Sequence, residues 1–147
     1  MSKRLYLVDT SIWILGLRRD GPAEIQHWLK DALQREMVVI APVVMLELLT
    51  GARTEEQYRY LRDELGALPQ VEAGAEAWEK ASWMAFSLRR RGVTVPTMDV
   101  IIAALAISNN CVLVHQDRHY EMVADVFSEL QQVPGSNLKS SKAPLSR

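Results

Sequence analysis

The sequence predicts a three-layer α/β/α fold with a mostly parallel central sheet, on three observations. Short apolar runs, hydrophobic on both parities, read as strands buried on both faces. Between them lie segments whose apolar residues recur every three or four positions, as in helices packed by one side. Strand and helix signals alternate along the chain, so right-handed crossovers put helices on both faces and gather ligands at the strands' carboxyl ends. At 147 residues, the chain has the length of one domain.

Leu5 to Val8 is the first buried strand, closed by Asp9, which is also placed to cap the next helix. Ala23 to Gln34 follows Gly21-Pro22 and carries Ile25, Trp28, Leu29, Ala32 and Leu33 on one helical stripe. Met37 to Ala41 is a second strand, stopped by Pro42, which suits the first turn of a helix ending near Gly51. Thr54 and Gln57 form a capping-box pattern ahead of a helix with Tyr58, Leu61, Leu65 and Leu68, terminated by Pro69. Ala75 to Arg91 reads as a longer helix that turns Trp78, Ala81, Ala85 and Leu88 inward and stops at Gly92. After Pro96, TMDVIIAALAIS is apolar almost all round, which marks a deeply packed helix, and Asn109-Asn110 ends it. Val112 to Val114 is another buried strand, followed by the polar turn HQDRH and a short helix from Tyr120 to about Val126. An edge strand is expected around Leu130 to Val133. From Pro134 the chain is Ser-rich, basic and poor in apolar surface, giving a domain over 1–133 and a flexible tail over 134–147.

A net charge of −1 provides no global basic field, so a polyanion would have to meet a local patch. The lone Cys111 cannot pair within the chain or build a multi-thiolate zinc site, which fits a reducing compartment and a buried, inert thiol. The N-terminal apolar run meets Asp9 after four residues, too short for a secretory segment. The uncharged stretch Met37 to Leu46 is broken by Pro42 and is far shorter than the roughly 18 residues of a membrane span. A cytoplasmic protein with no membrane association is expected.

Four acids stand where acids are costly. Asp9 and Asp117 follow buried strands, Glu47 lies within VVMLELL, and Asp99 opens the most apolar helix of the chain. Each has an ordinary explanation alone: a cap, a loop acid, a helix-dipole partner. Together, the expected sheet puts Asp9 and Asp117 at its carboxyl edge while two helices bring Glu47 and Asp99 towards it. Crowded carboxylates raise one another's pKa, so the cluster calls for protons or a cation. All-oxygen ligation suits Mg²⁺, with Mn²⁺ as the alternative. His27, His115 and His119 lack a zinc spacing and read as one surface and two loop residues, although His115 and His119 flank Asp117.

With VDTS at Asp9, LELLTG at Glu47, TMDVIIAALA at Asp99 and LVHQDRHY at Asp117, the chain resembles the PIN-domain ribonucleases, and among them VapC-type toxins, over about Leu5 to Leu130. The resemblance implies a PIN-like fold and an acidic catalytic site of Asp9, Glu47, Asp99 and Asp117. Asp9, Asp99 and Asp117 would hold metal, and Thr10 or Ser11 would supply a hydroxyl. It implies metal-dependent hydrolysis of RNA, a small cognate antitoxin as partner and a homodimer. Two positions depart from the pattern: His115 stands where Ser or Thr is frequent, and His119 replaces an acid, which removes a possible ligand.

Arg18, Arg19, Arg53, Arg89, Arg90 and Arg91 are the candidates for gripping RNA phosphates, although the last three also suit the negative end of a helix. Trp13, Trp28, Trp78 and Trp83 are expected in the core, with Ile12, Trp13, Ile14 and Leu15 as an alternative groove for a partner helix. Two other readings keep the fold: a non-catalytic module docking an Arg-rich peptide on the acids, and a structure-specific DNA nuclease. A phosphoacceptor receiver domain needs a lysine near its last strand, and none occurs between Lys80 and Lys139.

Overall fold

The computed structural model describes residues 4–138. Its elements are β1 (Tyr6–Val8), α1 (Thr10–Leu17), α2 (Ala23–Gln34), β2 (Val38–Val39), α3 (Pro42–Thr50), α4 (Glu55–Gly66), α5 (Ala75–Arg90), α6 (Thr97–Ser108), β3 (Val112–His115), α7 (His119–Val126) and β4 (Gln132–Pro134), then a 3₁₀ turn over Gly135–Asn137. The sheet has order β2-β1-β3-β4 and every pairing is parallel: Tyr6 faces Val38 and Val112, and Val114 faces Val133. The chain leaves β1 to one side for β2 and then crosses to β3 on the other. The carboxyl ends of β1 and β3 are therefore the point where the strand order reverses. Asp9 directly follows β1, and its N–H donates to the Val114 carbonyl at 2.9 Å, holding the two strand ends together.

β1 and β3 are buried on both faces, as their uninterrupted apolar runs require. The core holds Leu7, Val8, Leu113 and Val114 from the sheet, Ile12 from α1, and Val100, Ile102, Ala103, Ala104 and Ala106 from α6. Tyr6 meets Trp28 edge-on, ring centroids 5.3 Å apart, tying α2 to the sheet. Cys111 is buried and unpaired.

The helix ends follow their sequence signals. Pro42 sits in the first turn of α3, and the Thr54 side chain accepts from the Gln57 N–H at 3.0 Å to cap α4. α5 ends with Gly92 at φ 75, letting the Val93 N–H reach back to the Leu88 carbonyl at 2.9 Å. α2 ends in the same way through a residue poorly suited to it. Glu36 is exposed with φ 56, and the Met37 N–H reaches the Ala32 carbonyl at 3.0 Å. Glu36→Gly should therefore stabilise the fold by about 0.5–1 kcal/mol, the relief of a left-handed side-chain clash less glycine's larger unfolded-state entropy. Urea unfolding would read this as a higher midpoint at unchanged slope.

Several expectations need correction. In α5 the buried residues are Ala77, Ala81, Met84 and Leu88, so Trp78 and Ala85 lie on the exposed side. Trp13 and Trp28 are core residues, whereas Trp78 and Trp83 are 53% and 61% exposed. The reason is spacing: α5 packs broadly on α6, and Ala77 and Ala81 permit close approach where an indole would not. Ile12 and Trp13 are buried, which removes them from any surface groove, while Ile14 is half-exposed. The last strand begins at Gln132 rather than near Leu130, and the boundary at Pro134 falls inside it. Leu138 is buried, and a Cβ on Gly135 would lie 3.1 Å from Ile12 and Ile25 side-chain carbons, so 134–138 pack as part of the domain. The rest of the expected tail, 139–147, lies outside the described residues.

Candidate active site

The four acids arrive from four separate elements. Asp9 is the N-cap of α1, 5% exposed, with Oδ2 accepting from the Ser11 N–H at 3.0 Å and the Ser11 hydroxyl at 2.5 Å. Its other oxygen, Oδ1, accepts from the Tyr120 hydroxyl at 2.7 Å. That hydroxyl also lies 3.5 Å from Asp99 Oδ1, so the phenol of α7 bridges the acid after β1 and the acid in the first turn of α6. Glu47, half-buried on α3, accepts from the Thr10 hydroxyl at 2.6 Å, which links it to the residue beside Asp9. Asp117 lies in the turn between β3 and α7, where Oδ1 accepts the His119 N–H at 2.9 Å.

Thr10 and Ser11 thus hold two different acids, Glu47 and Asp9. Ser11 does a second task, since its hydroxyl oxygen accepts the Gln116 N–H at 3.0 Å and pins the turn that carries Asp117.

His115 and His119 are not the loop residues expected from their sequence setting. His115 belongs to β3 and is buried. Its Nδ1 accepts the Asp117 N–H at 3.1 Å, which leaves the proton on Nε2 to be donated to Gln132 Oε1 at 2.6 Å. β4 thereby fixes the tautomer of the ring that orients Asp117. His119 opens α7, and its Nδ1 lies 2.8 Å from Asp117 Oδ1 and 3.5 Å from Asp99 Oδ2. At 2.8 Å the ring nitrogen lies against the Asp117 carboxylate without hydrogen-bond direction: His119 Nδ1 and Asp99 Oδ2 are both buried atoms lacking a directed hydrogen bond.

The electrostatics register this crowding. Asp99 is pushed up to about 8 by burial first, then by the hydrogen bond and charge of Asp117, then by the charges of Asp9 and Glu47. Asp117 moves the other way: burial opposes its ionisation, but the hydrogen bond with Asp99, the His119 N–H and the His119 imidazole outweigh it and hold it low. The two carboxyls therefore titrate as a pair, with Asp99 raised and Asp117 lowered. Burial and the surrounding acids raise the Tyr120 phenol, so it stays a donor.

Asp99, Asp117 and His119 each offer a ligand atom, all within 4.8 Å of one another. Two orphaned buried atoms and carboxylates short of counter-charge are what a divalent cation would satisfy, so the residues present fit such an ion. Asp9 stands beside this group through the shared Tyr120 hydroxyl, and Glu47 through its charge on Asp99.

The arginines are spread more widely. Arg18 pairs with exposed Asp20 at 3.0 Å, and Arg19 and Arg53 are exposed. Arg89 lines a cleft of about 500 Å³ with Phe86, Val95, Thr97 and Val100, which reaches the first turn of α6 on either side of Asp99 in sequence. Arg90 and Arg91 are exposed at the end of α5. Tyr120 is the site residue that sequence reasoning missed, while His119 is noted there only as flanking Asp117 and standing in place of an acid. The one available signal for Tyr120 was its position three residues after Asp117.

The chain is similar in sequence and in fold to known proteins. The PIN domain family model matches residues 6–126. Ribonuclease VapC18 of Mycobacterium tuberculosis is 31% identical over 128 residues, covering 83% of this chain and 89% of that protein. The VapC ribonuclease Mb1587 of Mycobacterium bovis is 28% identical over 127 residues, covering 83% and 93%. Among solved structures, VapBC2 from Rickettsia felis bound to a promoter DNA fragment is similar with a TM-score of 0.72, at 20% identity over 88% of this chain and 98% of that one. FitAcB from Neisseria gonorrhoeae is similar with a TM-score of 0.71, at 16% identity over 91% and 100%.

Proposed function

Because this chain belongs to the PIN-domain family, and has its curated relatives among the VapC ribonucleases, we infer that it is a metal-dependent endoribonuclease acting as the toxin of a toxin–antitoxin pair. The observation that carries this reading is that Asp9, Glu47, Asp99 and Asp117 are linked at the β1/β3 switch point, where the Tyr120 hydroxyl lies 2.7 Å from Asp9 and 3.5 Å from Asp99 and where burial first, then the neighbouring acids, push Asp99 up to about 8. Asp99 and Asp117 would hold a divalent ion, Mg²⁺ or Mn²⁺, with Asp9 beside them. Bound there, the ion would polarise the scissile phosphodiester and favour ionisation of an attacking water.

The chain's own groups prepare that chemistry. Ser11 and Tyr120 fix both oxygens of Asp9, so its carboxylate cannot swing away. Glu47 is kept in place by the Thr10 hydroxyl, which donates to its Oε1 at 2.6 Å, and completes the acidic catalytic set. Exposed Arg18, Arg19, Arg53, Arg90 and Arg91, together with Arg89 in its cleft, would supply phosphate contacts. The partner would be a small cognate antitoxin, since similar structures include a toxin–antitoxin complex from Klebsiella pneumoniae and a VapBC toxin–antitoxin system of Mycobacterium tuberculosis, with the toxin itself a cytoplasmic homodimer. Among the described residues no helix is long and apolar enough to cross a membrane.

The test is purified protein incubated with total RNA and, separately, with hairpin DNA, with Mg²⁺, with Mn²⁺ and with EDTA. Cleavage of RNA that needs the metal and disappears with chelator is the expected result. Metal-independent cleavage, or cleavage confined to DNA, would overturn the assignment.

A further inference from the structure

His119 is read in the sequence as a lost ligand, and the structure reverses that reading. Its Nδ1 points into the carboxylate pair, 2.8 Å from Asp117 Oδ1 and 3.5 Å from Asp99 Oδ2. The backbone N–H of the same residue already binds Asp117 Oδ1, so the start of α7 fixes where the ring can lie. The nitrogen is buried and makes no directed hydrogen bond, although the outer part of the ring is about one-third exposed. A nitrogen held against two carboxylates with its in-plane direction unused is a donor atom waiting for an acceptor. A surface histidine that serves only as a counter-charge has no need of a buried Nδ1.

On the reading of this pocket as a metal site, we propose that His119 Nδ1 is a direct ligand of the divalent ion, alongside Asp99 and Asp117. The donor set is then two carboxylates and one imidazole rather than carboxylates alone. Mg²⁺ favours oxygen and retains its waters, whereas transition ions accept imidazole readily. The site therefore favours Mn²⁺ over Mg²⁺, and the His in place of an acid sets that choice. The other histidines are not equivalent: His115 has both ring nitrogens engaged, with Asp117 N–H and Gln132, and His27 is exposed on α2.

The experiment is Mn²⁺ titration of the untagged full-length protein in a nitrogen-free buffer, followed by pulsed EPR of the loaded sample. Modulation from a directly bound ¹⁴N nucleus is expected in the parent protein and should be lost in both His119→Ala and His119→Asp. Losing a direct ligand should weaken Mn²⁺ binding to His119→Ala by at least the about 10–100-fold seen when outer partners of a ligand are removed. In competition titrations, His119→Asp should lower the ratio of Mn²⁺ to Mg²⁺ affinity. Bound Mn²⁺ without nitrogen coupling in the parent, coupling that persists in His119→Ala, or an unchanged ratio in His119→Asp would overturn the proposal while leaving the nuclease reading intact. Failure of the parent protein to bind Mn²⁺ or Mg²⁺ at all would overturn both.

Discussion

Asp99→Asn should lower metal-dependent RNA cleavage by about a hundred- to a thousandfold, the equivalent of the several kcal/mol that metal stabilisation supplies. The same change should make the metal-free protein more stable. Asp99 has an ordinary value of 3.8 and is held at about 8 in the fold, so between those values the folded state binds more protons than the unfolded one. Raising the pH through that window erodes the stability of the metal-free parent, and the loss is complete above about pH 8. The asparagine variant lacks that titration, so its melting temperature should exceed the parent's at pH 8 and fall less between pH 5 and 8. Asp117, held low, acts in the opposite sense, and its contribution fades only as the pH drops below its ordinary value of 3.8. Saturating divalent ion should flatten the parent's slope as well. A variant that cleaves at parental rate, or a parent whose melting temperature rises steadily from pH 5 to 8 without metal, would contradict this account of the site.

Tyr120→Phe isolates one oxygen atom. The ring stays packed beside His115, whose centroid is 4.9 Å away, while the hydroxyl that donates to Asp9 Oδ1 at 2.7 Å is removed. Leaving a buried acceptor short of a partner costs about 1–3 kcal/mol, readable by urea unfolding of the metal-free protein. Metal affinity should drop by about 10–100-fold, because the phenol holds Asp9 against the group that ligates. Unfolding and Mn²⁺ titration curves that superimpose on those of the parent would show that Asp9 needs no such support.

The sequence exposed the fold to the extent that one-dimensional signals decide it. Buried parallel strands, prolines at Pro42 and Pro96 and the turn at Gly92 leave local marks, and the elements follow them in order. Those signals did not settle which face of a helix is buried when two stripes compete. In α5 both the Trp78 and the Ala77 stripes carry apolar residues, and only the need for close approach to α6 selects the second. The four acids were legible because each breaks an apolar context. His119 and Tyr120 were not, since their roles depend on where α7 begins after the Asp117 turn and thus on which way its first two side chains face. His115 was hidden for a related reason: its partner Gln132 lies in a strand whose pairing no local pattern announces.

The latch between His115 and Gln132 has a consequence for synthesis of the protein. The first acid leaves the ribosome early, yet the ring that orients the last one is not set until β4 has emerged and paired. At translation speeds of about 5–20 residues per second, that interval is roughly 6–25 s, during which the nascent chain carries an unassembled blade. A chain truncated before Gln132 should show no metal-dependent RNA cleavage, because the ring that orients Asp117 then loses the partner that sets its tautomer.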